Sequence, residues 1–287
     1  MKHFKDKLIV ALALITISFG ANAQQSMAPA YFTRFEHLKM SRTPEGVLEV
    51  RFATNNGPIV FTGKDHHDFV EAFSQIAQDR DNKVVILTGT GNEWFAQIDG
   101  PSLGDITNPR EWNKTWWEGQ QVLQNLASIG VPVIAAINGP ATVHSEYALT
   151  ADIIIASEQA YFQDFPHLTF GIVPGDGIQT VWARAIGDYR ARYFLYTQQK
   201  IGAKEAKEMG VVAEVLPDND ALLKRAHEIA GRLLTIPELT RRFMRTMFTQ
   251  PLRKDLLEQV GYGLSVEGAS ATDLKVSAEE KAKKEKR

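Results

Sequence analysis

One stretch of the chain brings together two side chains suited to moving protons. His167 stands in Phe165-Pro166-His167-Leu168, and Asp176 follows nine residues later, across the turn-forming segment Gly171-Ile172-Val173-Pro174-Gly175. An imidazole with an ordinary pKa of about 6.5 can take a proton from water at neutral pH. A carboxylate on its other nitrogen fixes the tautomer and stabilises the imidazolium that results, which is how a histidine and an aspartate together activate water. Asp176 also suits a plainer duty, capping the helix expected after Gly177. A second histidine, His144, ends the loop Asn138-Gly139-Pro140-Ala141-Thr142-Val143-His144.

Other chemistries find little support. The chain has no cysteine, so it has no thiolate nucleophile, no disulfide and no Cys-ligated metal. Gly89-Thr90-Gly91 follows a strand-like run without the further glycine of a dinucleotide site, and Gly175-Asp176-Gly177 lacks the lysine of a phosphate loop. His66-His67-Asp68 has no companion His-x-x-x-His pair, so neither a metal nor an organic cofactor is expected. The formal charge of -2 gives no basic surface for nucleic acid.

The elements that must position these residues alternate. A strand is expected at Leu48 to Ala53, then a helix at Asp65 to Ala77, where Phe69, Phe73 and Ile76 recur at helical spacing. Lys83 to Gly89 is a β-branched run of the kind buried on both faces of a parallel sheet. A helix at Trp116 to Ile129, a strand at Val131 to Ile137, a helix around Tyr147 and a strand at Asp152 to Ala156 continue the pattern. Such alternation predicts the α/β class. After Val215 only helices are expected, at Asn219 to Leu234, Pro237 to Thr249 and Leu252 to about Ser270. Residues 276–287 read as a charged, solvated tail.

Lys2, Lys5 and Lys7 precede the apolar run Leu8 to Phe19, which ends in Ala21-Asn22-Ala23. This is the three-part pattern of a secretory signal peptide over residues 1–23, so the mature protein is expected in the periplasm or outside the cell. The run is shorter than the ~20 residues of a membrane span, and no membrane association is expected after cleavage.

Asn82-Lys83-Val84-Val85-Ile86-Leu87-Thr88-Gly89, Pro132 to Gly139 and Gly171 to Gly177 together resemble the crotonase (enoyl-CoA hydratase/isomerase) superfamily, over about residues 35 to 270. Within it the His-bearing loop, the Pro-His pair and Pro-Gly-Asp-Gly resemble the β-diketone hydrolases of the 6-oxocamphor hydrolase type. The resemblance implies a ββα spiral core (24–217) and a C-terminal helical region (218–275) used in oligomer contacts, in a homotrimer or a dimer of trimers.

It also implies site roles. Family members hold a thioester oxyanion on backbone N–H groups at positions where this chain has Gln97 and the run Val143, His144 and Ser145. His144 would replace that device by donating a hydrogen bond to a carbonyl oxygen as it becomes an enolate. His167 takes the place of the usual catalytic glutamate, with Asp176 as its partner. Glu118, His66 (with His67 adjacent) and Glu267 match residues that line the hydrolase pocket. Phe61 replaces a tryptophan there and cannot donate a hydrogen bond. The expected activity is cofactor-independent cleavage of a carbon-carbon bond in a small, apolar β-diketone by a retro-Claisen step. The alternative is an enoyl-CoA hydratase or isomerase acting on acyl-CoA thioesters.

Overall fold

The computed structural model describes residues 28–285; the expected signal peptide lies outside the described residues. The main sheet comprises β1 (Leu38–Arg42), β2 (Val47–Phe52), β4 (Val84–Thr88), β6 (Val133–Ile137), β7 (Ile153–Ser157) and β10 (Glu214–Leu216), in the order β1-β2-β4-β6-β7-β10. Only β1 runs antiparallel, to β2; the remaining pairs are parallel. Two small sheets pair β3 (Val60–Phe61) with β5 (Gln97–Ile98) and β8 (Tyr161–Phe162) with β9 (Ile201–Gly202).

The helices are α1 (Gly63–Gln78), α2 (Pro109–Ser128), α3 (Glu146–Leu149), α4 (Pro166–Phe170), α5 (Ile178–Ile186), α6 (Asp188–Thr197), α7 (Ala203–Glu208), α8 (Asn219–Leu234) and α9 (Glu238–Glu285). No described helix is long and apolar enough to cross a membrane.

The near-continuous apolar runs of β4 and β6 follow from burial on both faces. Val85, Leu87, Val133, Ala135 and Ile137 point into the main core. Their neighbours Val84, Ile86, Ile134 and Ala136 meet Leu222, Ala226 and Ala230 of α8 on the opposite face. Along α9, Leu252, Leu256, Val260 and Leu264 recur every four residues and are buried, the stripe expected of a helix laid along a core.

The turn carrying His144 begins where β6 ends. Asn138 accepts from the Gly89 N–H at 3.0 Å and donates to the carbonyls of Gly91 and Glu93. Beside it, a Cβ on Gly139 would stand 1.8 Å from the Asn92 carbonyl oxygen, so only glycine admits this approach.

Three expectations change. β1 is an added antiparallel edge strand. The two helices expected from Pro237 to Thr249 and from Leu252 to about Ser270 are one helix, α9, which runs through Pro251. A proline inside a helix removes a hydrogen bond and crowds the preceding turn, but the buried stripe beginning at Leu252 keeps the helix on course. The charged segment expected as a tail continues α9 to Glu285.

Candidate active site

A cavity of about 420 Å³ opens between α2, the α3 and α4 turns, and α9. Its polar end gathers His66 from α1, His144 and Glu146 from the turn into α3, and Asp164 and His167 at α4. Asp176, just before α5, and Glu267 of α9 complete it. Ile98, Leu103, Ile106, Trp112, Phe170 and Leu264 make the rest of the wall apolar.

The structure brings His167, Asp176, His144, His66 and Glu267 together, and corrects the expected partner of His167. Its Nδ1 lies 2.7 Å from Oδ1 of Asp164, a carboxylate buried three residues earlier. Asp164 therefore fixes the ring, and the sequence signal was the Asp-x-x-His spacing across Pro166 at the start of α4. The other nitrogen, Nε2, faces Glu267 Oε1 at 3.5 Å and Asp176 Oδ2 at 3.7 Å. Those separations are longer than good hydrogen bonds.

Asp176 stands both at the head of α5 and beside the histidines. Oδ1 accepts from the Ile178 N–H at 3.2 Å, at the start of α5. Oδ2 faces the two histidines, 3.5 Å from His144 Nδ1.

His144 has φ 51°, the left-handed conformation that suits glycine. A non-glycine residue held there costs about 1–3 kcal/mol. Its ring stacks parallel on Tyr147, 4.9 Å between centroids, and its Nδ1 lies 2.6 Å from Oε1 of Glu146. Sequence reasoning missed Glu146, whose only signal was its place two residues after His144.

His66 resolves the ambiguity with His67: it is the residue on the cavity wall. Its ring stands edge-on to His144 at 5.7 Å between centroids. His66 Nδ1 and His144 Nε2 are both buried without a hydrogen-bond partner. Buried polar atoms are nearly always paired, so two orphans on neighbouring rings set this corner of the cavity apart.

Two expected contacts lie elsewhere. Phe61 does not line the cavity; it is fully buried behind the histidines, 5.0 Å from the His66 ring and 4.6 Å from the His144 ring. Glu118 is buried against His67 at 3.4 Å and Lys114 at 3.8 Å. Helical periodicity explains this, since Trp112, Thr115, Gly119 and Val122 form the cavity face of α2 and Glu118 lies about 100° around the helix from Gly119.

Burial and charge divide the histidines. Burial drives His66 down to about 3, helped by the nearby His144, so it stays neutral. Burial opposes charge on His144 as well, yet Glu146 and Asp176 outweigh it and raise that group to about 9. At His167 burial is likewise outweighed, by Asp176, Glu267 and Asp164, and its pKa lies well above the ordinary value. Asp176 resists burial because both histidines face it, and falls to about 2. Burial raises Glu267, with His167 opposing the rise. Burial and the charge of Asp176 lift Glu146 to about 7 against the pull of His144.

The N–H groups of Thr142 and Val143 both donate to the Phe95 carbonyl, at 2.9 and 3.0 Å, so neither is available to a substrate oxygen. Donor atoms of His144, Glu146 and Asp176 come within 4.8 Å of one another. Nδ1 of His144 lies 2.6 Å from Glu146 and 3.5 Å from Asp176, close enough for the three groups to share protons.

A parallel sheet with an antiparallel edge, flanking helices and a histidine–carboxylate pocket at the α3, α4 and α9 junction define a crotonase fold. Residues 42–285 match the enoyl-CoA hydratase/isomerase family, and the chain belongs to it. It is 57% identical to the solved structure of a β-diketone hydrolase from the cyanobacterium Anabaena bound to (S)-3-oxocyclohexyl acetic acid, with a TM-score of 0.85, covering 86% of this chain and 98% of that one. A probable peroxisomal enoyl-CoA hydratase of Arabidopsis thaliana is 32% identical over 206 residues, 70% of this chain and 72% of the relative. A probable enoyl-CoA hydratase of Mycobacterium bovis is 33% identical over 171 residues, 57% of this chain and 59% of the relative.

Proposed function

We propose that the protein is a carbon-carbon hydrolase that cleaves a small, largely apolar β-diketone by a retro-Claisen step. The observation that carries this reading is the pair of unpartnered nitrogens on His66 and His144, set in one cavity where His167 Nε2 faces Asp176 and Glu267.

In this reading, water in the cavity beside His167 gives its proton to the neutral ring as its oxygen bonds to one carbonyl carbon. Asp164 holds the ring in place and stabilises the imidazolium. Collapse of the tetrahedral adduct breaks the bond to the α-carbon, and the electron pair passes into the second carbonyl as an enolate. His144, as an imidazolium, and neutral His66 donate hydrogen bonds to that oxygen; such prepositioned donors usually supply a large share of catalysis. His167 returns its proton to the α-carbon. The products are a ketone and a carboxylic acid, joined as one keto acid when the diketone is cyclic.

The likeness to the Anabaena enzyme supports the reading. The names of the hydratase relatives favour the thioester alternative; against it stands the Val143 N–H, in the run expected to hold the thioester oxyanion, which is tied to the Phe95 carbonyl. Expected export also fits a substrate free of CoA. Exposed Leu239, Phe243, Met247 and Phe248 on α9 support burial against further copies, in a trimer or a dimer of trimers. Assay of the mature protein on cyclic β-diketones and on crotonyl-CoA, without added CoA or metal, tests the reading: it requires diketone cleavage, and thioester turnover with inert diketones refutes it.

A further inference from the structure

We infer that Glu146 is a positioning residue for this reaction, holding the His144 ring through Nδ1 so that the hydrogen on Nε2 faces the substrate oxygen. The inference rests on the β-diketone reading for its catalytic meaning, while the contact itself rests on geometry.

Three observations carry it. The Nδ1 to Oε1 separation is 2.6 Å, the length of a charge-assisted hydrogen bond. Asp176, the other anion near Nδ1, is 3.5 Å away and also serves α5 and His167. Glu146 thus makes the short contact that orients the ring.

Secondly, Glu146 is 1% exposed and its Oε2 has no partner. A carboxylate buried with half its acceptors unused is costly, and packing alone would be met by a neutral side chain of similar size.

Thirdly, the turn does not need Glu146 to hold its shape. Thr142 and Val143 are tied to Phe95, and Ser145 Oγ accepts from the Trp182 indole N–H at 3.0 Å. The backbone around His144 is therefore anchored on both sides of the glutamate's contact.

The charged and titratable groups that face the pair are His66 from α1, Asp176 and His167 beyond them, and Tyr147 stacked on the ring. His144 is raised to about 9 although burial opposes it, with the Glu146 charge the largest force in the upward direction.

The test is the titration of His144 by NMR in protein with isotope-labelled histidine rings, assigned with His144→Asn, in wild type, Glu146→Gln and Glu146→Asp. Glutamine keeps an acceptor for Nδ1 and removes the charge. The expected result is a fall of at least about one pH unit in the His144 midpoint in Glu146→Gln, since a removed neighbouring charge shifts a pKa on that scale. The alkaline limb of the rate profile should move down with it, kcat should fall by roughly 10²-fold with KM little changed, and Glu146→Asp should restore part of both.

An unchanged His144 midpoint in Glu146→Gln would overturn the inference. If Glu146→Gln does not fold, Glu146→Asp decides: an unmoved His144 resonance and rate profile there sink the idea, and a shifted one supports it. The NMR outcome stands even if wild type cleaves no diketone, so failure of the reaction reading is told apart from failure of the Glu146 assignment.

Discussion

Gly175 and Gly263 meet backbone to backbone: a Cβ on either would stand 2.2 Å from the other's carbonyl oxygen. This contact seats α9 on the turn before Asp176, one helical turn from Glu267, and so brings both carboxylates to His167. Gly263→Ala is expected to destabilise the fold by about 1–3 kcal/mol, the scale of an overpacked core, and to lower activity by spreading the two carboxylates. Chemical denaturation with steady-state kinetics checks it; unchanged stability would show that the contact is slack.

Asp164 should matter as much as the residues that touch substrate. Asp164→Asn leaves the shape of the site but removes the charge on His167 Nδ1 and permits the wrong tautomer. A fall in kcat of roughly 10²–10⁴-fold, with KM changing far less, is expected from comparable pairs. A variant with near-normal kcat would mean that Asp176 alone orients the ring.

His66 trades stability for function. Its pKa is depressed from the ordinary value to about 3 by burial, so between those two values the unfolded chain binds more protons and stability falls as pH falls. His66→Leu should lose activity yet gain about 1–3 kcal/mol at pH 8 from removal of a buried unpaired polar atom. The gain should grow by about 2 kcal/mol at pH 5. Melting curves of both proteins at the two pH values decide; a loss of stability in the variant contradicts the account.

The rate should peak on the alkaline side of neutrality. His167 must be neutral to accept a proton, and Asp176, Glu267 and Asp164 hold its pKa above the ordinary value despite burial, so kcat/KM rises as pH increases past neutral. It falls again as His144 loses its proton at about 9. Glu267→Gln removes one anion beside His167 and should move the rising limb to lower pH; a limb that stays in place would assign it to another group.

Much of this was legible in the sequence because the signals were local. Lys83 to Gly89 read as a doubly buried strand by composition alone, Val131 to Ile137 as a further strand, and Asn219 to Leu234 as a helix. His144, His167 and Asp176 stood out by type and by the segments around them. What escaped depended on side-chain direction or distant contact. Glu146 and Asp164 are ordinary acids until the turns aim them at Nδ1 of the two histidines. Phe61 falls one layer behind the wall, packed against the His66 and His144 rings, and Glu118 does so because α2 turns other residues to the cavity. Pro251 read as a break, and only the buried stripe against α2 carries the helix through it.

The central claim is that His167 activates water against a diketone. The direct measurement is hydrolysis of a cyclic β-diketone by the mature protein in ¹⁸O-labelled water, with His167→Ala and a crotonyl-CoA assay beside it. The account predicts one labelled oxygen in the product carboxylate, cleavage that disappears in His167→Ala, and no thioester hydration. Hydration of crotonyl-CoA with the diketone left intact would contradict it and place the protein with its hydratase relatives in chemistry as well as in fold.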